Sequence, residues 1–124
     1  MTECVFCNIE TKRIIKTFDH FFVIRDMYPV TDLHSLIIPT RHVSSYFDLT
    51  DQELTELPRV IVDIKDSLLE IDRKITGFNI GINDGKDAGQ TIFHCHIHLI
   101  PRRKNDVSSP RGGVRGVIPE KQSY

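Results

Sequence analysis

The sequence predicts a single α+β domain, because short β-rich runs separated by turn signals stand on either side of one long amphipathic ridge. Three observations carry the prediction. Phe78, Ile80 and Ile82 alternate with Asn79, Gly81 and Asn83, the period of a strand with one apolar face. Leu54, Leu57, Ile61, Ile64, Leu68 and Ile71 recur at spacings of three and four, the period of a helix with one buried stripe. A chain of 124 residues with 40% hydrophobic content is long enough for one core and too short for two ordinary ones.

Taken in order, Ile14 to Thr17 and Phe21 to Asp26 are β-rich runs around the polar Asp19-His20, the pattern of a hairpin. Ser35 to Ile38 reads as a buried strand closed by Pro39, which fits a strand end better than its middle. Thr50-Asp51-Gln52-Glu53 offers a capping box to start the helix. Pro58 interrupts the ridge and predicts a kink or two helical pieces, the second opened by Pro58. After the strand through Ile82, Asp84-Gly85 signals a turn, and a loop rich in Gly and Asp leads into Gln90-Thr91-Ile92-Phe93. The last strand is read from His94 to Ile100, stopped by Pro101. No repeat, low-complexity run or Pro/Gly/Ser linker divides the first hundred residues, so the organisation is a domain over residues 1–104 and a basic tail over 105–124.

The formal net charge is -1, unevenly placed: residues 101–124 hold six Lys or Arg against Asp106 and Glu120, leaving the first hundred acidic. The basic tail admits two readings, service to an anionic substrate or partner, or a solvated extension. The balance makes no case for general or sequence-specific nucleic-acid binding. The longest apolar runs fall far short of the ~20 residues of a membrane span, and Met1-Thr2-Glu3-Cys4 has no basic and apolar leader. A cytoplasmic protein without membrane attachment is the expectation. Three cysteines, two of them at Cys4 and Cys7, argue for reduced thiols or a metal and against a disulfide framework.

The chemistry concentrates in His94-Cys95-His96-Ile97-His98. Strict alternation puts three imidazoles on one side of an extended strand and Cys95, Ile97 and Leu99 on the other, toward the core. Near neutral pH an imidazole is both nucleophile and proton carrier. For attack on phosphorus, one ring nitrogen must be unprotonated, which requires the other to donate to a carbonyl or similar acceptor. Such a row also suits a metal, so both readings stand.

Here the sequence resembles the histidine triad superfamily. His-x-His-x-His followed by two apolar residues, from His94 to Ile100, is that family's defining motif. The segment from His34 through Pro39 to His42 resembles its histidine-headed strand. Asn83-Asp84-Gly85 with Ala88-Gly89-Gln90-Thr91 resembles its approach to the triad, and Cys4-Val5-Phe6-Cys7 resembles the amino-terminal pair of bacterial-type members. The likeness spans roughly residues 3 to 104. It implies a five-stranded antiparallel sheet with one main helix and a short N-terminal helix, continued into a second copy's sheet across a homodimer.

The resemblance also implies site residues. His96 becomes the nucleophile that attacks the α-phosphorus and forms a nucleotidyl-histidine, which water hydrolyses. His98 contacts phosphate oxygens and assists the leaving group. Gln90 joins them as a catalytic residue, and Gln90, Thr91, Gly89 and Asn83 match phosphate-site positions. Asp26 matches the residue that holds the ribose hydroxyls. Cys4, Cys7, His42 and His94 match the ligands of a structural zinc ion on which catalysis does not depend. Read alone, Gln90 and Thr91 could finish a loop, Asn83 could sit at a turn, and Asp26 could be a strand-end acid. Leu33 stands where the family commonly has Gly, and residues 88–91 look like the fragile-histidine-triad branch while the cysteines and His42 look like the bacterial hydrolase and phosphoramidase branches.

The function this predicts is hydrolysis of dinucleoside polyphosphates such as diadenosine tetraphosphate, or of related nucleotide conjugates, with adenosine nucleotides as substrates. A purine nucleoside phosphoramidase and a non-catalytic nucleotide- or metal-binding adaptor are the alternatives.

Overall fold

In the computed structural model, which describes residues 4–124, five antiparallel strands carry the alternating runs: β1 (Ile14–Thr17), β2 (Phe21–Arg25), β3 (Ser35–Pro39), β4 (Ile75–Gly81) and β5 (Ile97–Arg103). Their order across the sheet is β1-β2-β3-β5-β4, so the last strand inserts between β3 and β4. Met1-Thr2-Glu3, read above for the absence of a leader, lies outside the described residues. Among those described, no helix is long and apolar enough to cross a membrane. A single turn of 3₁₀ helix, Thr11–Arg13, precedes β1 in the position expected for a short N-terminal helix.

Alternation along the strands builds two apolar layers. Phe21 and Val23 of β2, Ile37 of β3, and Ile97 and Leu99 of β5 pack with Leu57, Val60, Ile64 and Leu68 of the helix α1 (Asp51–Ile71). Phe22, Ile24, Leu36 and Ile38 point to the opposite face and are covered by Phe6 and its neighbours from the amino-terminal segment. Each large apolar side chain so enclosed contributes about 1.5–3 kcal/mol.

The helix differs from its expectation in two ways. It is one uninterrupted element through Pro58, not two pieces. Pro58 is exposed, as is Leu54 a turn earlier, so the carbonyl that loses its intrahelical partner faces solvent. The buried stripe is Glu53, Leu57, Val60, Ile64 and Leu68, with Ile61 only partly buried and Leu54 and Ile71 exposed. Glu53 is buried because it closes the capping box with Thr50 and receives Arg41 at 2.9 Å.

The last strand is also displaced from its expectation, beginning at Ile97 instead of His94 and running through Pro101 to Arg103. Both ends have a reason. The β3–β5 ladder pairs Ile37 with Ile97, and continuing it would oppose Cys95 to Pro39, which has no N–H to give. The Cys95 N–H donates to the Val43 carbonyl at 2.7 Å instead. Beyond Leu99, β5 is paired with β4 alone, and the Pro101 carbonyl accepts from the Thr31 hydroxyl at 2.7 Å. Carbonyl and nitrogen of one strand residue point the same way, so the ring nitrogen of Pro101 lies on the side where no ladder is asked of it.

Leu33 has φ of 72°, the left-handed conformation that glycine adopts freely. The turn keeps its glycine-like geometry at a cost of about 1–2 kcal/mol, offset by partial burial of the Leu33 side chain against the helix-side core. The tail folds into 3₁₀ turns at Gly113–Val117 and Pro119–Lys121, with the Arg111 and Arg115 guanidinium groups 4.7 and 5.0 Å from the Tyr124 ring centre.

Candidate active site

On the sheet face away from α1 lies a cleft of about 570 Å³, walled by Val5, Phe6, Ile9 and Arg13 on one side and by Asp26, Met27, Tyr28 and Val30 on another. His34, His96 and His98 line it together with Asn83, Gly89 and Thr91. The alternation that turns Ile97 and Leu99 toward the helix turns His96 and His98 this way, and the His96 and His98 ring centres are 5.2 Å apart. Of the three, His96 and His98 share the cleft, while His94 does not line it; His94 and His96 sit in irregular backbone ahead of β5.

His96 is 9% exposed, and its Nδ1 lies 2.8 Å from the His94 carbonyl oxygen. A carbonyl only accepts, so Nδ1 carries the proton and Nε2 keeps its lone pair. A second chain of bonds sets His98. The Val30 N–H donates to Nδ1 of His34 at 3.0 Å, leaving the His34 proton on Nε2, which donates to Nδ1 of His98 at 3.0 Å. His98 therefore carries its own proton on Nε2. Asp26 reaches His34 Nε2 at 3.5 Å through Oδ2, while its Oδ1 accepts from the Tyr28 N–H at 2.8 Å.

Burial, joined by the neighbouring His96 and His34, lowers the His98 pKa to about 4, with Asp26 opposing. Burial also lowers that of His34, again against Asp26. Both rings are neutral at physiological pH, so the His98 Nε2–H is a fixed hydrogen-bond donor and not a strong acid.

The loop between β4 and the triad brings Asn83, Gly89 and Thr91 to the cleft as expected. Gly89 has φ of 97°, a conformation that favours glycine, and a Cβ there would meet the Asn83 amide only at ordinary contact distance. Gln90 is placed differently. It is 4% exposed and does not line the cleft: Oε1 accepts from the Gly85 N–H at 2.8 Å, and Nε2 donates to the carbonyls of Ser44 and Ile92 at 2.9 and 3.2 Å. Both Nε2 hydrogens and one Oε1 lone pair are thus committed to backbone groups, which makes this side chain a brace for the loop. Asp84 anchors the same loop, accepting from the Ser45 hydroxyl and the Tyr46 N–H.

Cys4, Cys7, His42 and His94 converge, each offering one ligand atom within 4.8 Å of the others. Cys4 Sγ to His94 Nδ1 is 3.4 Å, Cys7 Sγ to His42 Nδ1 3.2 Å, and Cys7 Sγ to His94 Nδ1 3.6 Å. Tetrahedral zinc with ordinary Zn–S and Zn–N bonds would separate such atoms by about 3.5 Å. His94 Nε2 lies 2.8 Å from the Pro39 carbonyl, so Nδ1 presents its lone pair to the group. The donor set fits a four-ligand zinc site.

The HIT domain pattern matches residues 8–105 of the chain. The chain belongs to the HIT domain family. Over 99 residues, 80% of its length, it is 42% identical to the nitrilase and fragile histidine triad fusion protein NitFhit of Caenorhabditis elegans, of which it spans 22%. It is 39% identical over 98 residues to the bis(5'-adenosyl)-triphosphatase of Dictyostelium discoideum, covering 79% of this chain and 65% of that one. Among solved structures, a Zn-bound histidine triad family protein from Mycobacterium smegmatis superposes with TM-score 0.76 at 36% identity, over 86% of this chain and 79% of that one.

Within this HIT domain, sequence reasoning left His34 without a role and passed over Arg13 and Tyr28. His34 precedes Leu36 by two residues, and Leu36 pairs with His98 across the ladder, so strand parity puts His34 on the cleft face. That signal exists only once the pairing of β3 with β5 is known.

Proposed function

We propose that the protein is a nucleotide hydrolase that cleaves dinucleoside polyphosphates at the α-phosphate through a nucleotidyl group on His96. The observation that carries the reading is the bond from His96 Nδ1 to the His94 carbonyl, which leaves Nε2 free inside the cleft. Nε2 attacks the α-phosphorus; a P–N bond forms, the bridging P–O bond breaks, and its electron pair leaves with the departing nucleotide. Water then attacks the same phosphorus, returning the lone pair to Nε2 and its proton to bulk solvent. The Nε2–H of His98 donates to the oxygens that gain charge, and Asn83 and Thr91 hold the remaining phosphate oxygens. Asp26 holds the ribose hydroxyls, and the apolar wall of Val5, Phe6, Ile9 and Met27 takes the base.

The neutral state of His98 favours a polyphosphate over a phosphoramidate. A nucleoside polyphosphate departs as a stable anion and asks only for hydrogen-bond donors, whereas an amine leaving group needs a proton that a neutral ring surrenders at high cost. The activity of the Dictyostelium relative points the same way. Cys4, Cys7, His42 and His94 would hold a zinc ion that shapes the fold; its closed ligand set leaves no place for a reacting water.

Mixing with diadenosine tetraphosphate and quenching in acid is expected to yield a nucleotidylated peptide containing His96. His96→Ala should lower turnover about 10⁴-fold or more while the far-ultraviolet spectrum stays unchanged. Hydrolysis that persists in His96→Ala, or an adenosine 5'-phosphoramidate turned over much faster than the tetraphosphate, would sink this reading.

A further inference from the structure

The two residues between the cysteines, Val5 and Phe6, are themselves part of the cleft wall. Phe6 is buried and stands edge-on to both His94 and His96, with ring centres 6.0 and 5.0 Å away. Residues 4–8 belong to no strand; their local bonds are from the Cys7 N–H and the Asn8 amide to the Cys4 carbonyl, both at 3.1 Å. The wall is thus held by the packing of Phe6 and by what Cys4 and Cys7 grip. On the other side of the group, His94 uses its ring toward the sulfurs and its carbonyl to fix the proton of His96.

We propose that metal occupancy at Cys4, Cys7, His42 and His94 is coupled to nucleotide affinity in the cleft, Phe6 and His94 being the shared parts. The inference rests on reading the cleft as a nucleotide site. Filling the metal site holds residues 4–7 against the sheet and keeps the wall closed; emptying it leaves sulfur and nitrogen donors crowded without a cation, and the wall relaxes. Coupling of this kind is reciprocal: whatever factor the metal adds to nucleotide affinity, the nucleotide adds to metal affinity.

The test is calorimetric titration of AMP into the zinc-loaded protein and into protein stripped with a chelator. The expected result is binding at least about fivefold weaker after stripping. The reciprocal measurement does not need the stripped protein to stay folded: zinc is competed with a chromophoric chelator in the absence and presence of saturating AMP, which should tighten zinc by the same factor. His42 does not line the cleft, so His42→Ala should bring the AMP Kd to the stripped value through loss of the metal alone. Equal AMP affinity in both forms, or zinc affinity indifferent to AMP, overturns the coupling and leaves the nucleotide reading standing. Failure of both forms to bind AMP overturns both, and failure to bind zinc overturns the coupling.

Discussion

At the scale of single residues, the site is governed by where protons are allowed to sit. His98 has a pKa of about 4 in the fold against 6.5 for an ordinary histidine, so the unfolded chain takes up its proton first as pH falls. Stability should therefore decline from about pH 6.5 down to about 4 and gain no further loss from this group below that, with His34 adding in the same sense. Between pH 7.5 and 5 the loss due to His98 is on the order of 2 kcal/mol. Urea midpoints at pH 7.5 and 5 measure it: His98→Asn should narrow the gap between the two pH values, and parallel losses in both proteins would contradict the burial argument. Cys95 shows the same principle in a group the chemistry does not use; burial, aided by Asp84 and Glu53, pushes its thiol up to about 11. What the sequence made legible here was the shared face of His96 and His98, because alternating imidazoles are rare and the spacing has one geometric meaning. The placement of Gln90 was not legible for a physical reason: a polar side chain next to a motif looks available, and only folding reveals its bonds to three backbone groups.

Among the elements, α1 depends on a charged group placed where charge is usually excluded. Burial works to raise the Glu53 pKa, but Arg41, the Thr50 N–H and the Thr50 hydroxyl outweigh it and hold the carboxyl below its usual range. Glu53 thereby ties the strap that follows β3 to the first turn of the helix. Arg41→Ala should lower the urea midpoint with an unchanged slope, because the nearly enclosed Glu53 carboxylate loses its cation. An effect within experimental error would show that water replaces the guanidinium without penalty. The period of the helix was readable, yet its phase slipped: Ile61 and Val60 are equally apolar, and only the packed structure shows that Val60 is enclosed and Ile61 partly so. The strand boundaries at His94 and Pro101 were missed because each depends on which neighbour faces the proline nitrogen, a tertiary fact.

For the molecule as a whole, the two sheet edges are not alike. β1 is four residues long, irregular between Ile14 and Lys16, and carries a lysine, all features that discourage pairing. β4 is seven residues long with Ile80 49% exposed, the better template for a second copy. We propose a homodimer joined along β4; sedimentation at micromolar concentration should give twice the chain mass, and Ile80→Lys should shift it to the monomer. A wild-type monomer at that concentration would refute it. The five-stranded antiparallel sheet and the helix layer were foreseeable from alternation and family likeness, whereas the strand order and the edge preference needed the topology. One feature of the loop over the cleft bears on how such a protein could change its trade. Because Gln90 pins the ends of that loop from beneath, the exposed side chains at Lys86, Asp87 and Ala88 can be exchanged without moving the nucleophile. Natural drift, or a directed library, could vary that surface at little risk to the packing below.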